Sequence, residues 1–579
     1  MLQINLCIAI QLALLLSFYG WGRAFLRLFL PEATLTSAAE ATIPAWLGWA
    51  ATLFLLQVLH LVFPLHGAIT IIMHGIGIGF AAYFIRRDLP QIAWRENAKG
   101  IFVILGVTYP FLAWLTARSF LPPVIYDNGL YHLSTIRWIN EYPIVVGLVN
   151  LHGRLAFNQS YFVYLASLNV HPFFGHGRTL ANSSLAILTI LTAVSHIVAH
   201  FRERETDRAV AVLRLVPALF AFPILYYWLT KPPAFGSPSA DFASGVIQIA
   251  LFLLLLQGIG SWLAGRRSLP LYAAALAFLA TTLLTVKLSG IVFAAGAFGY
   301  VLLYLLRSPE RSVRLALRVL LPPVLLMTLW MSRGVIMSGA PVYPSAIGLL
   351  PVPWAVSERS AYIDRAAVTG FARDPSREWH ENLGHWEWLP VWWDTFRLLN
   401  VPALIPLGLF ALFLIISIGL LVTANGRHRY GLLWLMILPI VGNIIFWFFM
   451  APDVRFSGSL FFLLPVISGL LLLVHLSERL DWRRLRVAIA GVVALGSIHY
   501  ALHTRDNWGE MFTVSAEGWG PVRVETFMTT FTTDSGLVLH IPVASDQCWD
   551  AELPCTPYPN PKLRLRRPDD LSSGFVLEE

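Results

Sequence analysis

The chain has 579 residues, of which 57% are hydrophobic and only 13% charged, with a mean hydropathy of +0.65. A soluble domain carries about 25% charged and 45–50% apolar residues, so this balance excludes an ordinary soluble protein and predicts an all-α polytopic membrane protein. The net charge of +8 does not imply nucleic acid as a partner, because the basic residues gather in alternate short loops, as they do in membrane proteins.

Apolar runs of roughly 18–20 residues recur along the chain, each long enough to cross a bilayer as a helix. The run from Ile4 to Gly20 has no basic residue before it, so it reads as a membrane helix rather than a signal peptide. Spans are expected near 4–22, 44–63, 67–84 and 101–119, forming an N-terminal block over 1–119. A central block over 181–332 holds spans near 181–199, 210–228, 242–264, 270–286, 289–306 and 315–332. A last block over 401–502 holds spans near 401–423, 430–450, 457–476 and 487–502. The total is about fourteen transmembrane helices. No repeat of 20–50 residues is evident.

The loops "RRDLPQIAWRENAKG" (86–100), "FRERETDR" (201–208), "GRRS" (265–268), "RSPERSVR" (307–314), "GRHR" (426–429) and "SERLDWRRLR" (477–486) are strongly basic. The alternate short loops carry single cations, Lys231, Lys287 and Arg455. The positive-inside rule places the first set in the cytoplasm and both chain ends outside. Three long segments then fall on the outer face, 120–180, 333–400 and the tail 503–579. Loops of that size in a compact protein are usually functional. The tail contains "TFMTTFTTDSGLVLHIPV" and many turn formers, which predicts a small α/β or β-containing extracytoplasmic region. Cys548 and Cys555 flank six residues there. A disulfide between them suits an oxidising compartment. No histidine stands close enough in sequence to favour zinc. Cys7 lies in the first apolar run and reads as a small core residue.

The densest chemistry lies in "YDNGLYHLSTIRWINEYP", Tyr126 to Pro143. Leu130, Leu133 and Ile136 fall on one side of a helix, and Asn128, His132 and Thr135 on the other. This predicts an amphipathic helix at the membrane surface, with Trp138 and Tyr142 at the interface. Two readings stand for Asp127. It is a plain helix N-cap, contributing about 1 kcal/mol, or a carboxylate held at a membrane-facing cavity as base or metal ligand. In a continuous α-helix Asp127 and His132 point about 140° apart, so they meet only if Asp127 lies in the preceding loop.

Further along, "EYPIVVGLVNLHGRLAFNQSYF" offers Glu141, His152, Arg154 and Asn158. Arg154 suits phosphate through its planar fork; the alternative is a surface arginine reaching lipid headgroups. Asp241 opens a span, Lys287 sits between two apolar runs, and Asp453 and Arg455 sit between two more. Ionisable groups at a membrane boundary pair with each other, face a cavity, or mark function. Structural Asp241–Lys287 and Asp453–Arg455 pairs are therefore one reading and a shared site the other. Arg333 ends a span and suits a lipid phosphate. His380 and His385 are five apart, which is not the usual one-face metal spacing, and read as loop histidines. There is no Gly-rich phosphate loop and no HExxH.

A long outer loop opening on an acid, then a helix, many spans and a soluble outer tail resembles the GT-C glycosyltransferases. The stretches "YDNGLYHLSTIRWINEYPIV", "NLHGRLAFNQS", "KLSG", "SGAPVYPS" and "APDVRF" look like an uncharacterised bacterial family of multispanning membrane proteins, distantly similar to that group. The resemblance implies a transferase that takes a sugar from a polyprenyl phosphate or pyrophosphate carrier. It passes the sugar to a lipid, glycan or protein acceptor on the outer side of the cytoplasmic membrane, in cell-envelope polysaccharide or lipid glycosylation. It assigns Asp127 as the catalytic acid-bearing position, with His132 beside it. Arg154, Lys287, Arg333 and Arg455 become candidates for the lipid phosphate, and Glu141, Asp241 and Asp453 supporting acids. A divalent cation remains open, since Asp127 is followed by Asn128 rather than a second acid. Two other functions stay in view: a transporter or flippase for a lipid-linked glycan, and a non-catalytic envelope assembly protein that binds through its tail.

Overall fold

The computed structural model describes residues 2–88, 108–121, 124–170, 177–202, 207–230, 235–265, 268–307, 312–399, 401–423, 431–477, 481–503, 524 and 526–578. Among the described residues, twelve helices are long and apolar enough to cross a membrane, so the chain is a multi-pass helical membrane protein. Two expected spans are not among the twelve. The one at 101–119 falls partly outside the described residues, with helix seen over 108–118. The one at 487–502 lies within the helix Trp482–His503. The loops 86–100 and 426–429 and Lys231 also lie wholly or mostly outside the described residues.

Helix Ala240–Leu263 is the axis of the bundle. It is apolar all round and nearly every residue is buried, as expected of a helix enclosed by others. It packs against Leu180–Arg202, Arg208–Thr230, Leu269–Val286 and Leu460–Ser477. Its start is fixed by Ser239, whose hydroxyl accepts from the Asp241 amide at 3.2 Å. The N-terminal helices Leu2–Phe29 and Ile43–His60 cross through glycines. A Cβ on Gly22 would sit 1.6 Å from the Pro44 carbonyl, and one on Gly48 1.6 Å from that of Phe18. Membrane helices approach this closely only over small residues. Cys7 is buried in the first of these helices.

The long segments fold over one end of the bundle, where they meet the ends of the central helices. The stretch after Asp127 is not a uniform α-helix. Asn128–His132 is a π-turn, closed by the Leu133 amide on the Asn128 carbonyl, and Leu133–Glu141 continues as α-helix. Nor is its polar side exposed. Asn128, His132 and Thr135 are buried together with Leu130, Leu133 and Ile136. Trp138 is 2% exposed and packs edge-on against Phe575 of the tail. The polar side of the helix meets other protein segments instead of water, which a helical wheel does not distinguish.

The tail carries two antiparallel hairpins, β1 (Met528–Thr532) with β2 (Val538–Pro542) and β3 (Leu563–Leu565) with β4 (Phe575–Leu577). The expected disulfide joins Cys548 and Cys555. Its small loop docks on the π-turn. The Trp549 amide donates to the Gly129 carbonyl at 2.7 Å, and Arg137 donates to the Asp550 carbonyl at 2.8 Å. Gly129 has no room for a side chain, since a Cβ would lie 2.6 Å from the Trp549 ring.

Candidate functional site

Asp127 is the centre of a charged cluster at this end of the bundle. Its side chain makes no capping hydrogen bond to the helix it precedes, so the plain N-cap reading does not hold. Instead its two oxygens are taken by two arginines from distant segments. Arg154, on the short 3₁₀ turn Gly153–Ala156, donates through Nη1 to Oδ1 at 3.1 Å. Arg455, on the 3₁₀ turn Val454–Ser457, reaches Oδ2 through Nη2 at 3.1 Å. Arg455 is itself held by Asp453, with Nε 2.9 Å from Oδ2 and its amide 3.0 Å from Oδ1.

Lys287 joins from the end of the helix Leu269–Val286, where the backbone turns extended. It pairs with Asp241. Its ammonium lies over the Phe456 ring, 4.3 Å from the centroid, and the Arg455 guanidinium lies 4.7 Å from the same ring. Phe456 thus tethers two cations at once. Both pairs considered from sequence, Asp241–Lys287 and Asp453–Arg455, are formed, and Phe456 and Asp127 link them into one network.

His132 lies one π-turn beyond Asp127. A π-turn closes from residue i to i+5, so it narrows the 140° separation that a continuous α-helix would impose and brings His132 near enough to couple electrostatically to Asp127. Its Nδ1 donates to the Asn128 side-chain oxygen at 2.9 Å, and the Ser237 hydroxyl donates to the same oxygen at 2.7 Å. That arrangement leaves Nε2 as the bare nitrogen. Burial pushes His132 down to about 3, so the ring is neutral at physiological pH. Burial alone would raise the Asp127 carboxyl. The charges of Arg455, Arg154 and Lys287 oppose it and hold the group below the usual carboxylate range. Burial and Arg455 push Lys287 down from the ordinary lysine range, and the charges of Asp453 and Asp127 oppose that shift.

Two expected members stand apart. Glu141 is largely exposed and pairs with Arg137 at 2.6 Å, one helical turn away. Arg333 is buried in a different place, beside His60 and the Gln57 carbonyl. Among the described residues no three His, Cys, Asp or Glu side chains group as they would to hold a metal ion. His385 bonds to the Glu381 carbonyl within its own loop.

Residues that the sequence did not single out complete the surroundings. Tyr343 donates its hydroxyl to Asp364, on the helix Glu358–Arg373. Asp364 packs on Gly153, where a Cβ would come 1.9 Å from Oδ2. The Arg154 charge therefore faces a second acid. Burial raises the Asp364 carboxyl, opposed by the Tyr343 hydrogen bond and by Arg154. From the tail, Asp546 accepts from Tyr126 and, at 3.0 Å, from Tyr558, while Gln547 donates to the Tyr126 carbonyl at 2.8 Å. Tyr343 falls within the motif "SGAPVYPS", which offered a signal. Asp364 and Asp546 sit in polar stretches whose spacing carries none.

A family profile described as a domain of unknown function (DUF8201) matches residues 4–462. The chain belongs to the DUF8201 family. The match includes Asp127, Arg154, Asp241, Lys287, Asp364 and Arg455 and stops before the tail, so the charged cluster is part of the DUF8201 region while the disulfide loop that docks on it is not. No curated protein and no solved structure matches the chain.

Proposed function

We propose that the chain is a GT-C-type glycosyltransferase of about fourteen spans in a bacterial cytoplasmic membrane, using a polyprenyl-phosphate-linked sugar donor at the outer face. The observation that carries this reading is the Asp127 carboxylate gripped by Arg154 and Arg455. Glycosyl transfer needs a carboxylate to take the acceptor's hydroxyl proton and cations where the phosphate departs. Both are present, and they are bonded to each other. A donor phosphate matches the guanidinium fork as well as a carboxylate does. Its arrival draws an arginine away from Asp127, which raises the basicity of the carboxylate when a leaving group is in place. The acceptor oxygen then bonds to the anomeric carbon, its proton passes to Asp127, and the bond from that carbon to the phosphate oxygen breaks. The acceptor is a lipid, glycan or protein hydroxyl.

The test uses purified full-length protein and a panel of radiolabelled sugars on polyprenyl phosphate, with envelope lipids and glycans as acceptors. Wild type is expected to release label from at least one donor. Asp127→Asn is expected to lower the rate by about 10²–10⁴-fold. The Asn side chain keeps the shape, and a thermal melt checks that the fold is retained. Full activity in the folded variant sinks the assignment. Movement of the lipid-linked sugar across a vesicle membrane without transfer favours the flippase instead.

A further inference from the structure

Beneath the helix Leu133–Glu141 lies a cavity of about 30 Å³, apart from the Asp127 cluster. Its polar lining includes Arg333, Trp138, His60, Thr135, Asn158 and Gln159, and no carboxylate lines it. Arg333 is 2% exposed and makes no ion pair among the described residues. Its Nη1 contacts the His60 Nδ1 at 3.1 Å and the Gln57 carbonyl at 3.4 Å, while its buried Nε has no partner. His60 does not share the charge: its Nε2 contacts the Tyr142 carbonyl at 3.2 Å, which makes Nδ1 the acceptor for Arg333. The indole N–H of Trp138, also 2% exposed, is a second buried donor without a partner.

A buried donor without a partner calls for a water or an ion, and a buried charge left uncompensated is costly. Arginine does not escape that cost by losing its proton. Water would satisfy the two N–H groups and leave the charge. A small anion would satisfy both. The volume admits one or two water-sized groups, which suits a monatomic ion and is too small for a phosphate ester. We propose that this cavity is a halide site, with chloride held by Arg333 and Trp138. It joins the helix that follows Asp127 to the helices Ile43–His60 and Val313–Ser338, and so acts on the stability of the site's support. The proposal stands independently of the transferase reading.

The test is the melting temperature of the detergent-solubilised full chain in chloride, bromide and gluconate at constant ionic strength. Wild type is expected to gain on the order of 2–4 °C in chloride over gluconate. The gain should saturate with concentration, and bromide should substitute for chloride. Arg333→Gln and Trp138→Phe should each remove the halide response, whatever they do to the melting temperature itself. The second variant keeps the test usable if the first fails to fold. Equal melting temperatures for wild type in all three salts overturn the proposal and leave a water-filled cavity. A halide response that persists in both variants overturns it as well.

Discussion

At Asp127, burial and two guanidinium groups act in opposite directions on one carboxyl, and the charges prevail. The buried histidines nearby behave differently, because nothing adjacent favours their charged form strongly enough. His152 is 7% exposed, packs against the Tyr558 ring, and is pushed down to about 3 by burial and by Arg154. An unfolded histidine titrates near 6.5. Above that pH neither state is protonated and the shift has no effect. Below it the unfolded chain takes up a proton that the folded chain refuses, so stability falls as the pH drops from about 6.5 towards 3. At pH 5 the loss is about 2 kcal/mol for each such residue. Chemical denaturation at pH 7 and pH 5 should therefore show a smaller loss in His152→Gln than in wild type, by about 2 kcal/mol. An identical pH slope in the two proteins would falsify the neutral, buried state of His152.

The element that decides the site is the junction of the π-turn Asn128–His132 with the loop closed by Cys548–Cys555. The turn puts Asp127 and His132 on one side, and the tail seals it through Trp549 and the Asp546–Tyr126 contact. The disulfide holds a short loop in the shape that makes these contacts. By chain entropy, closing a loop of this length stabilises by about 2–3 kcal/mol. The Cys548→Ser/Cys555→Ser variant is expected to lose that amount and to release the tail from the turn. Limited proteolysis should then cut near 545–556 in the variant and spare wild type. Equal resistance in both would show that the hairpins hold the tail without the crosslink.

For the whole molecule the proposed reading requires one orientation. Loops bearing several cations should face the cytoplasm, and the tail with its disulfide should lie outside. Alkaline phosphatase, which is active only outside the cytoplasm, reports this directly. A fusion after residue 578 should be active, and a fusion in the loop 265–268 should be inactive. The opposite pattern would place Asp127 on the cytoplasmic side and remove the outer-face donor from the proposal. Six charged residues from five separated segments meet at one end of the bundle: Asp127, Arg154, Asp241, Lys287, Asp453 and Arg455. Three acids balance three bases there, so an incoming phosphate must compete for arginines already engaged.

Chain-local physics determined a good deal. The multi-pass helical class follows from runs of apolar residues set against a fixed bilayer thickness. The tail hairpins and the Cys548–Cys555 bond follow from turn formers and spacing along a few residues. The pairs Asp241–Lys287 and Asp453–Arg455 were legible because a charge at a membrane boundary needs a partner. Tertiary structure decided the rest. A helical wheel shows that Asn128, His132 and Thr135 share a side, but not that Ser237 and the tail cover that side in place of water. A π-turn has no sequence signature, so the alignment of Asp127 with His132 was hidden. Arg333 and Arg455 each stand at a span boundary and look alike in sequence. Arg455 meets Asp127, and Arg333 is enclosed beside His60, because which helix ends converge depends on how the helices cross.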